Sequence, residues 1–274
     1  MPATRCTRAC ARPPAATRPR SGPPAYGKEH VVDLRAVELD VNSEDSVDAA
    51  VEQVIAAHWR IDVLVHNAGH MVTGPAEAFT PEQLSCTTST SCPRSGSTVP
   101  ACRICAGRAR SGDLGLQLQR QGRHAALSGP PYFAAKAAVD SLAVSHAGEL
   151  ACWGVETSIV VPGSFTRGTS HFAHSGHPAD GAVEAAYETK YAGLVRQVSE
   201  KLAAPAPEDA DASLVSDEIA RIVALPEGER PYRVHIDPAD DGAEEVSDVG
   251  DRVRREFLTR IDLGDLLTPH PAAV

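Results

Sequence analysis

The sequence predicts an α/β fold: a three-layer, doubly wound parallel sheet, incomplete at the N-terminus and in the middle. Three observations carry that prediction. Short strand-like runs alternate with helical patterns over residues 26–84 and 131–274, as they do where parallel strands are joined by helical crossovers. The run Asp62–His66 is short and apolar, which suits a strand buried on both faces. Residues 1–25 and 85–130 interrupt the alternation with a foreign composition.

The elements follow in order. Residues 1–25 hold six prolines and five arginines and are expected to form no stable element. Leu34–Leu39 alternates as a strand. Asp40 and Val41 end it, and Asn42 or Ser43 is a fair N-cap. The helix that follows runs to about His58, with Val47, Ala50, Val51, Val54 and Ile55 on its apolar side. After the strand at 62–66, Thr80-Pro81-Glu82-Gln83 starts a helix with proline in its first position, and the pattern ends at Ser85.

Order returns at Tyr132. Ala134–Leu150 is an alanine-rich helix ended near Gly154, and Val155–Val161 is the next strand. A glycine-bearing loop leads to helices at about 180–203 and 213–225, a strand at Tyr232–Ile236 and a helix at 248–260. The strands near 34–39, 62–66, 155–161 and 232–236 are expected to be parallel.

A chain of 274 residues, 42% hydrophobic, can bury the core of one α/β domain. It has no apolar run of the roughly 18 residues needed to span a membrane, and no secretory signal is visible. The formal charge of −10 argues against nucleic-acid binding. That average hides an asymmetry. Residues 1–25 and 85–130 together carry eleven arginines, no lysine and one acid, Asp113. They hold no aromatic residue, but six of the seven cysteines. The expected organisation is an aberrant or disordered segment over 1–25 and a single domain over 26–274, with 85–130 as an aberrant, insert-like stretch.

The chemistry sits in three blocks. In Tyr132-Phe133-Ala134-Ala135-Lys136 the tyrosine and lysine face the same way, one helical turn apart. An ammonium beside a phenol favours the phenolate. Upstream stands Asp62-Val63-Leu64-Val65-His66-Asn67-Ala68-Gly69; downstream stands Ser158-Ile159-Val160-Val161-Pro162-Gly163-Ser164-Phe165-Thr166. The order and spacing of these blocks resemble the short-chain dehydrogenase/reductase family, with its Rossmann-like domain.

The resemblance implies an NAD(P)-dependent oxidoreductase of an alcohol or carbonyl, a small-molecule substrate, a cytoplasmic location and a homo-oligomer. It implies that Tyr132 is the general acid/base and that Lys136 holds the nicotinamide ribose. Asn67-Ala68-Gly69 would let the backbone approach the adenosine side of the cofactor. Asp40 and Val41 match the position that contacts adenine, and Pro162, Gly163 and Thr166 match the loop that meets the nicotinamide amide. His66 stands where the family often has asparagine.

Three elements of the family pattern are missing from these residues. There is no glycine-rich TGxxxGxG loop to cradle the pyrophosphate. No serine stands 13 residues before Tyr132, since Ser128 is too close, and the asparagine expected in the helix after Leu84 is gone. Losing a hydrogen-bond donor to a reacting oxygen commonly costs about 2.7–4 kcal/mol in barrier. The activity expected of this chain is therefore impaired. The competing reading is a non-catalytic remnant that partners intact homologues.

The foreign segments read better as out-of-frame sequence than as a linker or a transit peptide, whose amphipathic helix six prolines would break. GC-rich codons for Leu114–Ala126, read one base later, give WVSSSSGKGGTP, which resembles the family's fifth strand and catalytic-serine loop. The shifted serines fall across Leu116 to Arg120, and Gln119 is 13 residues before Tyr132. Codons for Cys6–Pro13, preceded by a G and so read one base earlier, give VYAGMRET, which looks like the second strand and its exit. Its arginine favours NADP slightly over NAD, because arginine accommodates the 2′-phosphate.

No metal is expected. His171, His174 and His177 are spaced like ligands but lack a carboxylate cluster, and a mobile substrate loop explains them better. Cys102 and Cys105, with Cys86 and Cys92, fit random reading better than a zinc or redox motif.

Overall fold

The computed structural model describes residues 5–10, 23–41, 43–69, 71–80, 83, 114–118, 130–169 and 175–270. These form two compact units, one ending at Ile61 and one beginning at Asp62.

The first unit is built on two parallel strands, β1 (Arg5–Cys10) and β2 (Asp33–Glu38), paired from Arg5↔Asp33 to Cys10↔Glu38. Helix α1 (Pro23–Glu29) lies between them in sequence, and α2 (Glu44–His58) follows β2. Ser43 caps α2, its hydroxyl accepting from the Ser46 amide at 3.3 Å, and Glu44 and Asp45 place negative charge on the first turn. The helix ends where Trp59 turns left-handed, its amide bonded to Ile55 O at 2.7 Å. Val47, Ala50 and Val51 are its buried face, and Val37 is the buried residue of β2.

The second unit holds a four-stranded parallel sheet in the order β3 (Val63–His66), β4 (Leu114–Leu118), β5 (Glu156–Pro162), β6 (Arg233–Ile236). Between β4 and β5 runs α3 (Pro130–Ala151). Between β5 and β6 run α4 (Gly181–Lys190), α5 (Leu194–Ala203) and α6 (Ser213–Ala224), and α7 (Ala243–Arg260) closes the order of helices.

Strand β5 shows why the sheet is doubly wound. Ile159 and Val161 pack with Ala143 and Val144 of α3. Val160, between them, packs with Val215 and Ile222 of α6. Alternate side chains thus meet helices on opposite faces. Ala135, Val139, Ala143, Ala147 and Ala151, spaced by four, form the buried line of α3. Gly154, at φ 73°, and the bond from Val155 N to Leu150 O stop that helix before β5 begins.

The parallel strands expected near 62–66, 155–161 and 232–236 are present within one sheet. Two expectations need correction. Residues 1–25 include β1 and the start of α1, and residues 85–130 include β4, so neither stretch is without regular structure. A parallel ladder uses backbone groups only. The prolines of 1–25 fall outside Arg5–Cys10, and Leu114, Leu116 and Leu118 alternate as a strand requires. The rest of 85–129, with its cysteines, lies outside the described residues apart from that strand. Helices α3 and α7 also begin earlier than their periodicity suggests, at Pro130 and Ala243.

Candidate active site

Tyr132 sits in the first turn of α3, which Pro130 and Pro131 open. It is 2% exposed, packed with Met71, Val72 and Phe79 from the segment after β3. The Phe133 ring meets it edge-on at 5.6 Å. One turn along, the Lys136 Nζ lies 5.7 Å from the Tyr132 ring centroid. The helix thus keeps an ammonium beside a buried phenol, a contact of about 0.5–2 kcal/mol in favourable settings.

The other residues singled out by sequence lie at the C-terminal ends of strands, where parallel α/β sheets bind ligands. Asn67, Ala68 and Gly69 follow β3 and are exposed. Pro162 is the last residue of β5, and Gly163 follows it. Asp40 and Val41 follow β2 in the first unit, where the Asp40 amide donates to Ser46 Oγ at 2.9 Å.

Thr166 and Gly163 are likewise engaged within the protein. The Thr166 hydroxyl donates to the carbonyls of Pro207 at 2.8 Å and Glu208 at 3.0 Å, and lies 3.3 Å from that of Ala210. It pins the loop after β5 to the segment before α6. Gly163 N donates to Ile236 O at 2.9 Å. A Cβ on Gly163 would stand 1.9 Å from Asp237 Oδ1, so only glycine lets the exits of β5 and β6 lie this close.

Sequence reasoning missed the brace beside Tyr132. Thr73 N donates to Gly176 O, and Gly176 N donates to Met71 O, both at 2.9 Å. The hydroxyls of Thr73 and Ser175 meet at 3.2 Å. Gln83 completes a reciprocal cap with Thr80, each side chain accepting from the other's amide at 3.2 Å. Its amide also donates to His177 O at 3.0 Å and accepts from Ala179 N at 2.9 Å. Gly74 has φ 147°, and a Cβ there would be 2.4 Å from Pro178 Cγ. The dipeptide Gly74-Pro75 is the sequence signal for this brace.

Burial, with a smaller contribution from nearby His146, pushes the His66 imidazole down to about 4, so it is neutral at pH 7. Among the described residues no group of three His, Cys, Asp or Glu is arranged to hold a metal. His171 and His174 lie outside them. No described helix is long and apolar enough to cross a membrane.

This arrangement of parallel strands, with a Tyr–Lys pair opening the helix between β4 and β5, agrees with the sequence comparison. The short chain dehydrogenase family pattern matches residues 24–177. The chain belongs to that family. It is 30% identical over 144 residues to the 3-ketodihydrosphingosine reductase of Bacteroides thetaiotaomicron, covering 51% of this chain and 52% of that one. An uncharacterized oxidoreductase of Schizosaccharomyces pombe is 47% identical over 47 residues, 17% of this chain and 20% of its own. The chain therefore spans between a fifth and about half the length of these curated relatives.

Solved structures share the fold. A short-chain dehydrogenase from Streptomyces avermitilis superposes with TM-score 0.61 at 21% identity, covering 87% of this chain and 84% of that one. A blue fluorescent protein from a metagenomic library, in complex with NADPH, gives 0.59 at 21% identity over 78% of each chain. A short chain dehydrogenase from Burkholderia cenocepacia, in complex with NADP, gives 0.58 at 22% identity, covering 84% and 85%.

Proposed function

We propose that this chain derives from an NAD(P)-dependent oxidoreductase of a small alcohol or carbonyl, and that it is catalytically impaired as it stands. One observation carries the lineage. Tyr132 is buried in the first turn of α3 with the Lys136 ammonium 5.7 Å from its ring. In this reading Tyr132 passes a proton to or from the substrate oxygen, and Lys136 steadies the site beside it. The neighbours in complex with NADPH and NADP support a nicotinamide cofactor, with NADP slightly favoured.

The residues present do not fit a whole dinucleotide. Asp40, Val41, Asn67, Ala68, Gly69, Lys136, Pro162, Gly163 and Thr166 would line its path. Yet the 274 residues contain no TGxxxGxG sequence to receive the pyrophosphate. The Thr166 hydroxyl is already bonded to backbone carbonyls, and Asp237 fills the space beside Gly163. An acid/base pair acts only when its partners are held within hydrogen-bond reach.

The proposal includes a single domain over 26–274, a cytoplasmic location, and the out-of-frame origin of 1–25 and 85–130. If no single-base changes in the encoding DNA restore a long frame with those readings, the out-of-frame origin is wrong.

Calorimetric titration of the chain with NADPH tests the impairment. We expect weak binding or none, and negligible turnover. A dissociation constant in the low micromolar range would overturn it. The second reading, a non-catalytic partner of intact homologues, is favoured by the same missing cradle. It fails if the chain as it stands does not associate with an intact member of the family in sedimentation velocity.

A further inference from the structure

The outer face of α7 carries an exposed apolar stripe, on which the helix's own Arg260 guanidinium lies 5.4 Å from the Phe257 ring centroid. Val246, Val249, Val253 and Phe257 recur at helical spacing and are 40%, 54%, 51% and 47% exposed. Ile261 and Leu263 extend the exposed apolar surface past the helix end. An adjoining face, about 110° round the helix from the stripe, is the one that docks. Ala243 and Ser247 are buried there, Asp251 bonds to Arg233, and the Arg254 guanidinium lies 5.2 Å from the Tyr232 ring centroid. The stripe is therefore not a core face turned outward by a wrongly phased helix. It is a second, separate apolar surface on a charged helix.

The charges of α7 indicate what would cover it. The N-terminal end carries Glu244, Glu245 and Asp248 and no base. From Arg252 to Arg260 the helix carries four arginines against one glutamate. Such a surface complements itself when turned end for end: acid meets base at both ends, and the two helix dipoles oppose each other favourably. The stripe suits that turn as well. Val246 and Phe257 exchange places about a point between Gly250 and Val253. Gly250 lies on the same face with open space where a Cβ would point, so two helices can cross closely there.

We propose that this face is a two-fold interface between two copies of the chain, with the two α7 helices antiparallel across it. Val246, Val249, Val253 and Phe257 form its apolar seam. Glu245 of each copy faces Arg260 of the other along the rim. The inference does not depend on whether the chain binds a cofactor.

Sedimentation velocity on the full chain is the test. We expect a dimer at about 20 µM, in exchange with monomer on dilution. Val253→Glu should raise the dissociation constant by at least about tenfold, with an unchanged circular dichroism spectrum and, at dilutions where both chains are monomeric, an unchanged melting curve, because Val253 is exposed in the single copy. Glu245→Arg and Arg260→Glu should each weaken the dimer, and the double exchange E245R/R260E should restore it, since only opposed helices put these two positions together. A monomeric chain at about 100 µM would overturn the proposal. So would a Val253→Glu variant that stays dimeric, or a double exchange no stronger than its single variants. The charge exchanges alter exposed side chains only, so they decide the matter even if Val253→Glu fails to fold.

Discussion

Arg233 Nη1 donates to Asp140 Oδ1 at 2.6 Å, one turn beyond Lys136 on the helix that also carries Tyr132. The same guanidinium forks onto Asp251 of α7, at 2.7 and 3.1 Å. Its side chain is 6% exposed. Burial alone would lower the Arg233 pKa, but its bonds to Asp251 and Asp140 outweigh burial and raise it. One arginine therefore ties β6 to α3 and α7.

Removing that arginine leaves two half-buried carboxylates facing each other. Arg233→Ala should destabilise the fold by about 3–5 kcal/mol, read as a lower urea midpoint. Arg233→Lys should recover only part of the loss, because an ammonium cannot fork onto Asp251 while holding Asp140. An alanine variant with an unchanged midpoint would show that the cluster is ornamental.

His66 predicts an acid-side loss of stability. Its pKa is about 4 in the fold, against about 6.5 in an unfolded chain. Below pH 6.5 the unfolded chain takes up a proton that the folded one refuses. Stability is therefore full above pH 6.5 and falls as pH drops towards 4, by at most about 3 kcal/mol. Urea titrations between pH 7 and 4 should show this slope, and His66→Asn should flatten it.

Gly74→Ala should loosen the brace beside Tyr132. The added methyl meets Pro178 at a φ of 147°, which alanine rarely adopts. We expect a loss of roughly 2 kcal/mol or more and faster proteolysis within 175–180. An unchanged melt together with unchanged cleavage would contradict the close approach.

In the protein with both frames repaired, Tyr132→Phe should cut turnover by at least about 10²–10⁴-fold and leave NADPH affinity intact. Stopped-flow hydride transfer with a matched calorimetric titration separates the two effects. Retained turnover would remove Tyr132 from the acid/base role.

Much of this architecture is legible in local chemistry. Ser43 and the spacing of Val47, Ala50 and Val51 announce α2, and Ile159-Val160-Val161 announces the strand with two packed faces. What is not legible depends on distant partners. Nothing near Arg233 names Asp140 or Asp251, and nothing near Gly163 names Asp237. The tyrosine, lysine and strand-end loops can be found from spacing, but the engagement of the Thr166 hydroxyl with residues 207–210 cannot. Composition misleads at β1 and β4 because it averages over long windows. A strand of five or six residues needs only a proline-free backbone and a neighbour to pair with.

The side chain of Gln83 also sets an order of events during synthesis. Its amide serves Thr80, three residues back, and also His177 and Ala179, 94 and 96 residues ahead. At about 5–20 residues per second, a ribosome delivers those later partners roughly 5–20 s after Gln83 itself. Until then Gln83 can keep its local bond to Thr80, while the other two of these three side-chain bonds go to water. The brace around Tyr132 can therefore close only after α3 and β5 have been made, so the aromatic pocket is a late product of translation.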